Sequence, residues 1–318
     1  MSALVIRPFR PADAIGISEL FRRVYGDHYV SPDVYVPHMI CQHHQHRHWF
    51  SMVAVLEERV VGHAALCRPA ANREDAELAL MAVDPALQGS QIATRLGRQL
   101  LDRCKDLGLV RLSIKQVTSH LYSQRLAQRL GFHDMGLMPD HVPSPFSATQ
   151  TEAQTETIVV GCQVMGDHRR PLPDVQWPAP CQWLMAPLAA QFGTTFDDAP
   201  APMQPLQISS LPGRIDVIAG HMSRHLARQL QRLPAHWSIA VRLGLRRQFP
   251  EDYRRLMTAG FIFTGMVPAE GELNWQALFH RGALARHLDL HAEPMQRLHD
   301  ELQFHTRNWR GRQSSSAA

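Results

Sequence analysis

The sequence predicts an α+β fold of the α/β class: a mixed, mostly antiparallel sheet flanked by helices, with a second, smaller α/β unit after it. Three observations predict it. Apolar runs at Phe50 to Leu56, Val60 to Leu66 and Glu77 to Val83 follow one another closely enough for an antiparallel meander. From Glu77 to Phe132 the pattern then alternates strand, turn, helix, strand and helix. After Gly213 a similar alternation returns, ending in a second Gly-Phe pair at Gly260-Phe261.

Composition bounds the rest. The chain has 318 residues, of which 45% are hydrophobic, enough for one large core or two modest ones, and two are expected. A formal net charge of +4 suits an anionic ligand, but no Lys/Arg-dense stripe is interleaved with aromatics, so no nucleic-acid partner is expected. Cys41, Cys67, Cys104, Cys162 and Cys181 form no Cys-x-x-Cys pair and read as thiols of a reduced, cytoplasmic protein. No apolar run reaches the 18 or so residues of a membrane span and no signal pattern opens the chain, so no membrane partner is expected either.

In chain order, Ala3 to Ile6 reads as a strand, and Arg7 to Ala14 turns into a helix whose Ile17, Leu20, Phe21 and Val24 share one face. Tyr25, Tyr29 and Tyr35 follow, reading as amphipathic packing residues at a helix–loop junction. A second helix is expected near Val36 to Gln42. The run His38, Cys41, His43, His44, His46, His48 carries metal-type ligands, but on an irregular stretch neighbouring imidazoles alternate in direction, so it reads as solvated and no metal is expected. His63 reads as a strand residue with a local partner. A polar loop surrounds Asn72 to Asp75, and the strand from Glu77 leads through Asp84-Pro85 to a helix from Thr94 to Leu107, a strand from Leu109 to Ile114, and a helix ending at Gly131-Phe132. Past a polar stretch from Ser147 to Glu156, Thr157 to Val164 is the last strand of the first unit. Prolines between Pro171 and Pro205 argue against long regular elements, and Trp177, Trp183, Phe192 and Phe196 argue against disorder, which leaves an ordered wrap. Then come a strand (Arg214 to Ala219), a helix (Met222 to Leu233), a strand (Trp237 to Leu243), a helix (Glu251 to Ala259), the closing segment Gly260 to Pro268 and a strand (Trp275 to Phe279). His291 to Trp309 reads as a basic amphipathic helix and Gly311 to Ala318 as a disordered tail. The expected division is 1–168, a proline-rich connector 169–208, a smaller unit 209–290, and a terminal helix and tail 291–318.

Chemistry concentrates at the turn Gln88-Gly89-Ser90-Gln91-Ile92-Ala93. A strand there delivers a turn onto a helix start, where unpaired N–H groups and the positive dipole end suit a phosphate, although turn-then-helix junctions are common in any fold. Upstream, period two puts Glu77, Ala79, Met81 and Val83 on one strand face.

The order strand, Val83-Asp84-Pro85, Gln88-Gly-x-x-x-Ala93, helix, strand, helix, Gly131-Phe132 resembles the acyl-CoA-binding core of the GCN5-related N-acetyltransferase (GNAT) superfamily, whose loop is Arg/Gln-x-x-Gly-x-Gly/Ala. Gln91 stands where that loop has its central glycine. Val24-Tyr-Gly-Asp-x-Tyr29, Val61-Gly-His-Ala-x-Leu66, Val117-Thr-x-His-x-Tyr-Ser-Gln124 and the run from Gly131 to Pro143 are similar to a bacterial GNAT group sometimes fused to anti-sigma-factor-type ATPase domains; no such ATPase domain is visible here. The likeness spans roughly residues 4 to 165, and the C-terminal part resembles a degenerate GNAT half-domain without the loop. The resemblance implies an N-acyltransferase that passes an acetyl group from acetyl-CoA to a primary amine, on a small molecule or a protein lysine, by direct transfer in a ternary complex. A non-catalytic acyl-CoA-binding regulatory or interaction module is the alternative. It implies cofactor contacts from Met81, Ala82, Val83, Gln88, Gly89, Ser90, Gln91, Ile92, Ala93 and Ser123, and an acceptor pocket near Tyr25, Tyr29 and Tyr35. Glu77, six residues before Val83, matches the family's general base, needed because a lysine-like amine has a pKa of about 10.4. The family's usual proton-donating tyrosine, four residues before Gly-Phe, is Ala127 here, leaving His120 and Tyr122 as the nearby donors. Acceptor identity and oligomeric state are left open.

Overall fold

The computed structural model describes residues 3–69, 74–143, 155–196, 205–211, 213–269, 275–283 and 286–316. Asn72 and its following residue, and most of the polar stretch from Ser147, lie outside them. The chain opens with β1 (Val5–Pro8), α1 (Ala14–Tyr25) and α2 (Pro37–Gln45). The spacing-predicted face of α1 buries Ile17, Leu20 and Phe21. The His-rich run is more regular than expected: His38, Cys41, His43 and His44 lie within α2, begun by Pro37 at a position where its missing N–H costs nothing.

Antiparallel strands β2 (Trp49–Leu56), β3 (Arg59–Cys67) and β4 (Asp75–Val83) form the predicted meander. Next come α3 (Ile92–Asp102), β5 (Arg111–Val117) and α4 (Tyr122–Arg129), then β6 (His133–Pro143) against β7 (Thr155–Val164). The sequence reading passed over β6, because register shifts at Asp134/Gly136 and Met138/Val142 break its alternation.

The proline-rich stretch contains β8 (Leu172–Pro173), a 14-residue helix α5 (Ala179–Phe192) and β9 (Thr194–Thr195). The helix contradicts the expectation of no long regular element. Pro180 sits in its first turn, and the helix tolerates Pro187 inside it because Cys181, Leu184, Met185, Leu188 and Phe192 are all buried. The second half comprises β10 (Gln207–Leu211), β11 (Arg214–Ala219), α6 (Arg224–Gln231), β12 (Ser238–Gly244), α7 (Phe249–Thr258), β13 (Ile262–Pro268) and β14 (Trp275–Arg281). A last helix, α8 (Glu293–Ser316), runs through the segment expected to be a disordered tail; Met295, Leu298 and Leu302 anchor its first turns in the core, and a helix once nucleated extends cheaply.

Among the described residues one twelve-stranded sheet runs through both halves, in the order β1-β2-β3-β4-β5-β7-β6-β13-β14-β12-β11-β10. The two halves share one connectivity. β3-β4-α3-β5-α4-β6-β7 is matched step for step by β10-β11-α6-β12-α7-β13-β14, with the single parallel pair at β4·β5 and β11·β12. The halves meet where β6 pairs antiparallel with β13, Gly136 opposite Gly265. Both glycines lie in Gly-Phe-x-x-x-Gly-x-x-Pro words, Gly131 to Pro139 and Gly260 to Pro268, and both sit at a register shift in their own hairpin. A Cβ on Gly136 would stand 2.8 Å from the Thr264 oxygen, and one on Gly265 would overlap the Met135 carbonyl. Only glycine permits this approach.

The cores lie on both faces of the sheet. α1 and α2 cover one face of the first half with Ile17, Leu20, Phe21 and Ile40 against Val53, Leu80 and Ala82. α3 and α4 cover the other with Leu96, Leu100 and Ala127 against Ala54, Leu78 and Leu112. The largest cluster joins Met135, Leu137, Val159 and Cys162 of the first half to the α5, α6 and α7 side of the second.

Candidate active site

β4 and β5 pair only over Asp75 to Glu77 and Arg111 to Ser113. Beyond them β5 continues along β7 to Val117 and β4 continues along β3 to Val83, so the sheet forks. Between the prongs, backbone groups face a gap that another extended chain can fill.

A bulge reshapes the β4 prong. Ala65 is opposite Ala79 but His63 is opposite Ala82, one extra residue on β4, and Leu80 takes φ +52°. The face therefore switches. Glu77 and Ala79 lie on the α1/α2 side, whereas Met81 and Val83 pack with the α3 cluster. Glu77, Ala79, Met81 and Val83 thus do not share one face; period two holds only on either side of the bulge.

On the α1/α2 side Glu77 Oε2 accepts from Lys115 Nζ at 2.8 Å, across the fork. Lys115 was not singled out in the sequence, although it is the one charge between Leu112 and Gln116. Tyr29 feels the Glu77 charge; the Tyr25 and Tyr29 ring centroids are 4.8 Å apart, Tyr29 packs edge-on to Phe21, and Tyr35 accepts from the Tyr29 N–H at 2.9 Å. Burial pushes the Tyr25 phenol up to about 12, and burial with the Tyr25, Cys67 and Glu77 charges holds Tyr29 well above its ordinary value. They are neutral donors rather than bases. Tyr25 donates to the Met81 carbonyl at 3.1 Å, reaching the bulge itself.

On the α3 side the predicted corner is formed. Gln91 is the residue before α3, at φ +62°, and no side chain caps the helix start. Gln91 holds the left-handed conformation that glycine would supply more cheaply. Gly89 is at φ +83°, and a Cβ built on it meets nothing within 4 Å. Gln88, Gly89, Ser90 and Gln91 are exposed, and Ile92 and Ala93 begin the helix. An open helix N-terminus at the mouth of a sheet fork fits a phosphate-bearing ligand with an extended arm.

At the end of β5, the His120 and Tyr122 rings stand 5.3 Å apart, Tyr122 is 75% exposed, and the buried His120 Nδ1 has no partner among the described residues. Ser123 Oγ stands 3.5 Å from the Val117 carbonyl. Ala127 is fully buried in the α3/α4 core and offers no proton. Gln124, missed in the sequence, is buried and ties α4 to the C-terminal arm: its Nε2 donates to the Asp289 carbonyl at 2.6 Å, and its Oε1 accepts from the His291 N–H at 2.8 Å.

Residues 15–132 match the family described as "Acetyltransferase (GNAT) family". Over this segment, about a third of the chain, the sequence is similar to the GNAT family. The match supports an acyltransferase, and the family it describes uses acetyl-CoA. Among similar solved structures are the ribosomal-protein-S5-alanine acetyltransferase from Vibrio fischeri (16% identity, 52% of this chain and 96% of that one, TM-score 0.44). Another is a Salmonella typhimurium structure with its cofactor acetyl-CoA (20%, 54% and 98%, 0.43). A third is the spermidine N-acetyltransferase from Vibrio cholerae (16%, 51% and 93%, 0.41). No curated protein matches the chain.

Outside the GNAT segment, the equivalent helix start in the second half differs. Ser223 precedes α6 in extended conformation, and its side chain accepts from the Leu226 N–H at 3.1 Å. That corner is capped by the chain itself. Among the described residues no group of three His, Cys, Asp or Glu side chains could hold a metal, and no helix is long and apolar enough to cross a membrane.

Proposed function

We propose that the chain transfers an acetyl group from acetyl-CoA to a primary amine, with both substrates bound at once. The fork between β4 and β5, with the uncapped α3 start at one face and Glu77 among tyrosines at the other, carries this reading. Acetyl-CoA supplies the activated acyl group. Gln88 to Ala93 would receive its pyrophosphate, the β4 backbone at Met81, Ala82 and Val83 would hold its extended arm, and Ser123 would flank it. The acceptor would enter from the α1/α2 side along Tyr25, Tyr29 and Tyr35, so that each substrate owns one face and the reacting atoms meet in the gap. Holding them there supplies most of the rate.

Glu77 would take the proton from the amine, directly or through one water. Lys115 aims it across the fork, and must yield part of that contact to a cationic acceptor. His120 and Tyr122 are the donors available to the departing thiolate in place of the absent tyrosine at Ala127. The acceptor is a small amine or a protein lysine.

The second half, read as a degenerate GNAT half-domain, would serve structurally, since Ser223 fills its own corner. A non-catalytic acyl-CoA-binding module is the second reading, favoured by the buried Ala127 and the ion-paired Glu77. Calorimetric titration with acetyl-CoA tests both. Micromolar binding, lost in Ala93→Asp, is the expected result; absence of binding at millimolar ligand refutes both readings. Turnover with an amine panel then separates enzyme from module.

A further inference from the structure

A buried polar chain runs beneath the β4 bulge on the α1/α2 side. His44 Nδ1 lies 2.7 Å from the Ile40 carbonyl, and His44 Nε2 lies 3.0 Å from Ser51 Oγ. Ser51 Oγ lies 2.9 Å from His63 Nε2, and His63 Nδ1 lies 2.7 Å from the Leu80 carbonyl. A carbonyl oxygen only accepts, so both Nδ1 atoms must carry hydrogen. With two neutral imidazoles, both Nε2 atoms are then bare acceptors facing one hydroxyl that has one hydrogen to give. One more proton closes the chain: His44 Nε2–H donates to Ser51, Ser51 donates to His63 Nε2, and His63 Nδ1–H donates to Leu80.

Geometry says where that proton sits. His63 is completely buried, and burial pushes its pKa down to about 4, against the pull of the Leu80 carbonyl. His44 is only partly buried and stacks on the Phe9 ring at 3.7 Å, with Trp49 edge-on at 6.2 Å. Burial lowers its pKa too, with the Ile40 carbonyl opposing and His43 on the same helix adding to the fall. The other charge facing the pair is Asp13, which favours a proton on His63 and is itself held by Arg7 of β1 at 2.7 Å. α1 presents the Phe21 ring to His63, and β4 presents the Leu80 carbonyl.

The receiving end is the strained residue. A left-handed φ is costly for a bulky side chain, and Leu80 holds it while buried at 5% exposure. We propose that His44, Ser51 and His63 are positioning residues, a one-proton relay that pins the Leu80 carbonyl and so holds the β4 bulge in shape. The benefit to acetyl-CoA binding rests on the function proposed above; the proton count does not.

The experiment is nitrogen-edited NMR of the histidine side chains of the full chain, titrated over roughly pH 5 to 8, in wild type, Ser51→Thr and Ser51→Val. His44→Gln and His63→Gln spectra supply the assignments. Thr and Val fill the same space and differ in the hydroxyl, so packing changes cancel between them. The relay predicts a neutral His63 protonated on Nδ1 throughout, and a His44 pKa about one unit lower in Ser51→Val than in Ser51→Thr. It also predicts amide exchange at Met81 about tenfold faster in Ser51→Val, and acetyl-CoA binding about tenfold weaker. Equal His44 pKa values in the two variants, or a His63 protonated on Nε2, overturn the relay. Equal Met81 exchange overturns its hold on the bulge. If wild type binds no acetyl-CoA, the proposed function fails, and the pKa and exchange comparisons still decide the relay.

Discussion

In the proposed reaction, Glu77 is where a single side chain decides the chemistry. Glu77→Gln keeps the size and most hydrogen bonding but cannot take a proton, so turnover should fall about 100-fold while acetyl-CoA affinity changes less than about threefold. Steady-state kinetics beside calorimetry checks it, and an unchanged rate removes Glu77 from the mechanism. Buried histidines set the acid limit. Burial pushes His63 to about 4 and His280, held 2.8 Å from Thr264 Oγ1, to about 3, both from 6.5. Between those folded values and 6.5 the unfolded chain binds more protons, so stability is complete above pH 6.5 and falls as pH drops toward 4. A thermal midpoint that declines over this window, and declines less in His280→Gln, is expected. Of these residues the sequence revealed identity and spacing. Glu77 could be placed on its strand, and His63 could be given a local partner, because both follow from alternation. Lys115 and the switch of face at Leu80 could not, since nothing in Leu78-Ala79-Leu80-Met81 distinguishes a residue that will take positive φ, and pairing across the fork depends on a strand 38 positions away.

Two helix starts with one topology do opposite things. α3 begins at Gln91 without a side-chain cap, and α6 begins at Ser223, whose hydroxyl serves the Leu226 amide. Ser223→Ala should cost about 1 kcal/mol of stability in denaturant unfolding and leave acetyl-CoA affinity unchanged. A loss of affinity in that variant would mean that the second half also binds. At this scale the sequence was most legible where one face is apolar: α1, the meander and the four elements from β11 to α7 lie within a few residues of expectation. It was least legible at α5, where Pro187 masks a helix held by tertiary packing, and at β6, where two bulges erase the period.

The molecule as a whole is organised about the glycine crossing of β6 and β13. Gly265→Ala would drive a methyl group into the Met135 carbonyl at φ +110°, and should destabilise the fold by about 3 kcal/mol or more, read as a lowered denaturation midpoint. The repeated Gly-Phe-x-x-x-Gly-x-x-Pro word was present in the sequence, but its partner strand was not, since pairing between such distant segments leaves no local periodicity. One core is shared across that join, so the two halves are expected to unfold together. Five of the six tryptophans, Trp177, Trp183, Trp237, Trp275 and Trp309, follow residue 170, while the proposed ligand site lies before it. Intrinsic fluorescence therefore listens mainly to the half that acetyl-CoA would not touch, and a ligand-raised melting temperature in that signal would measure how far binding energy spreads through a single sheet.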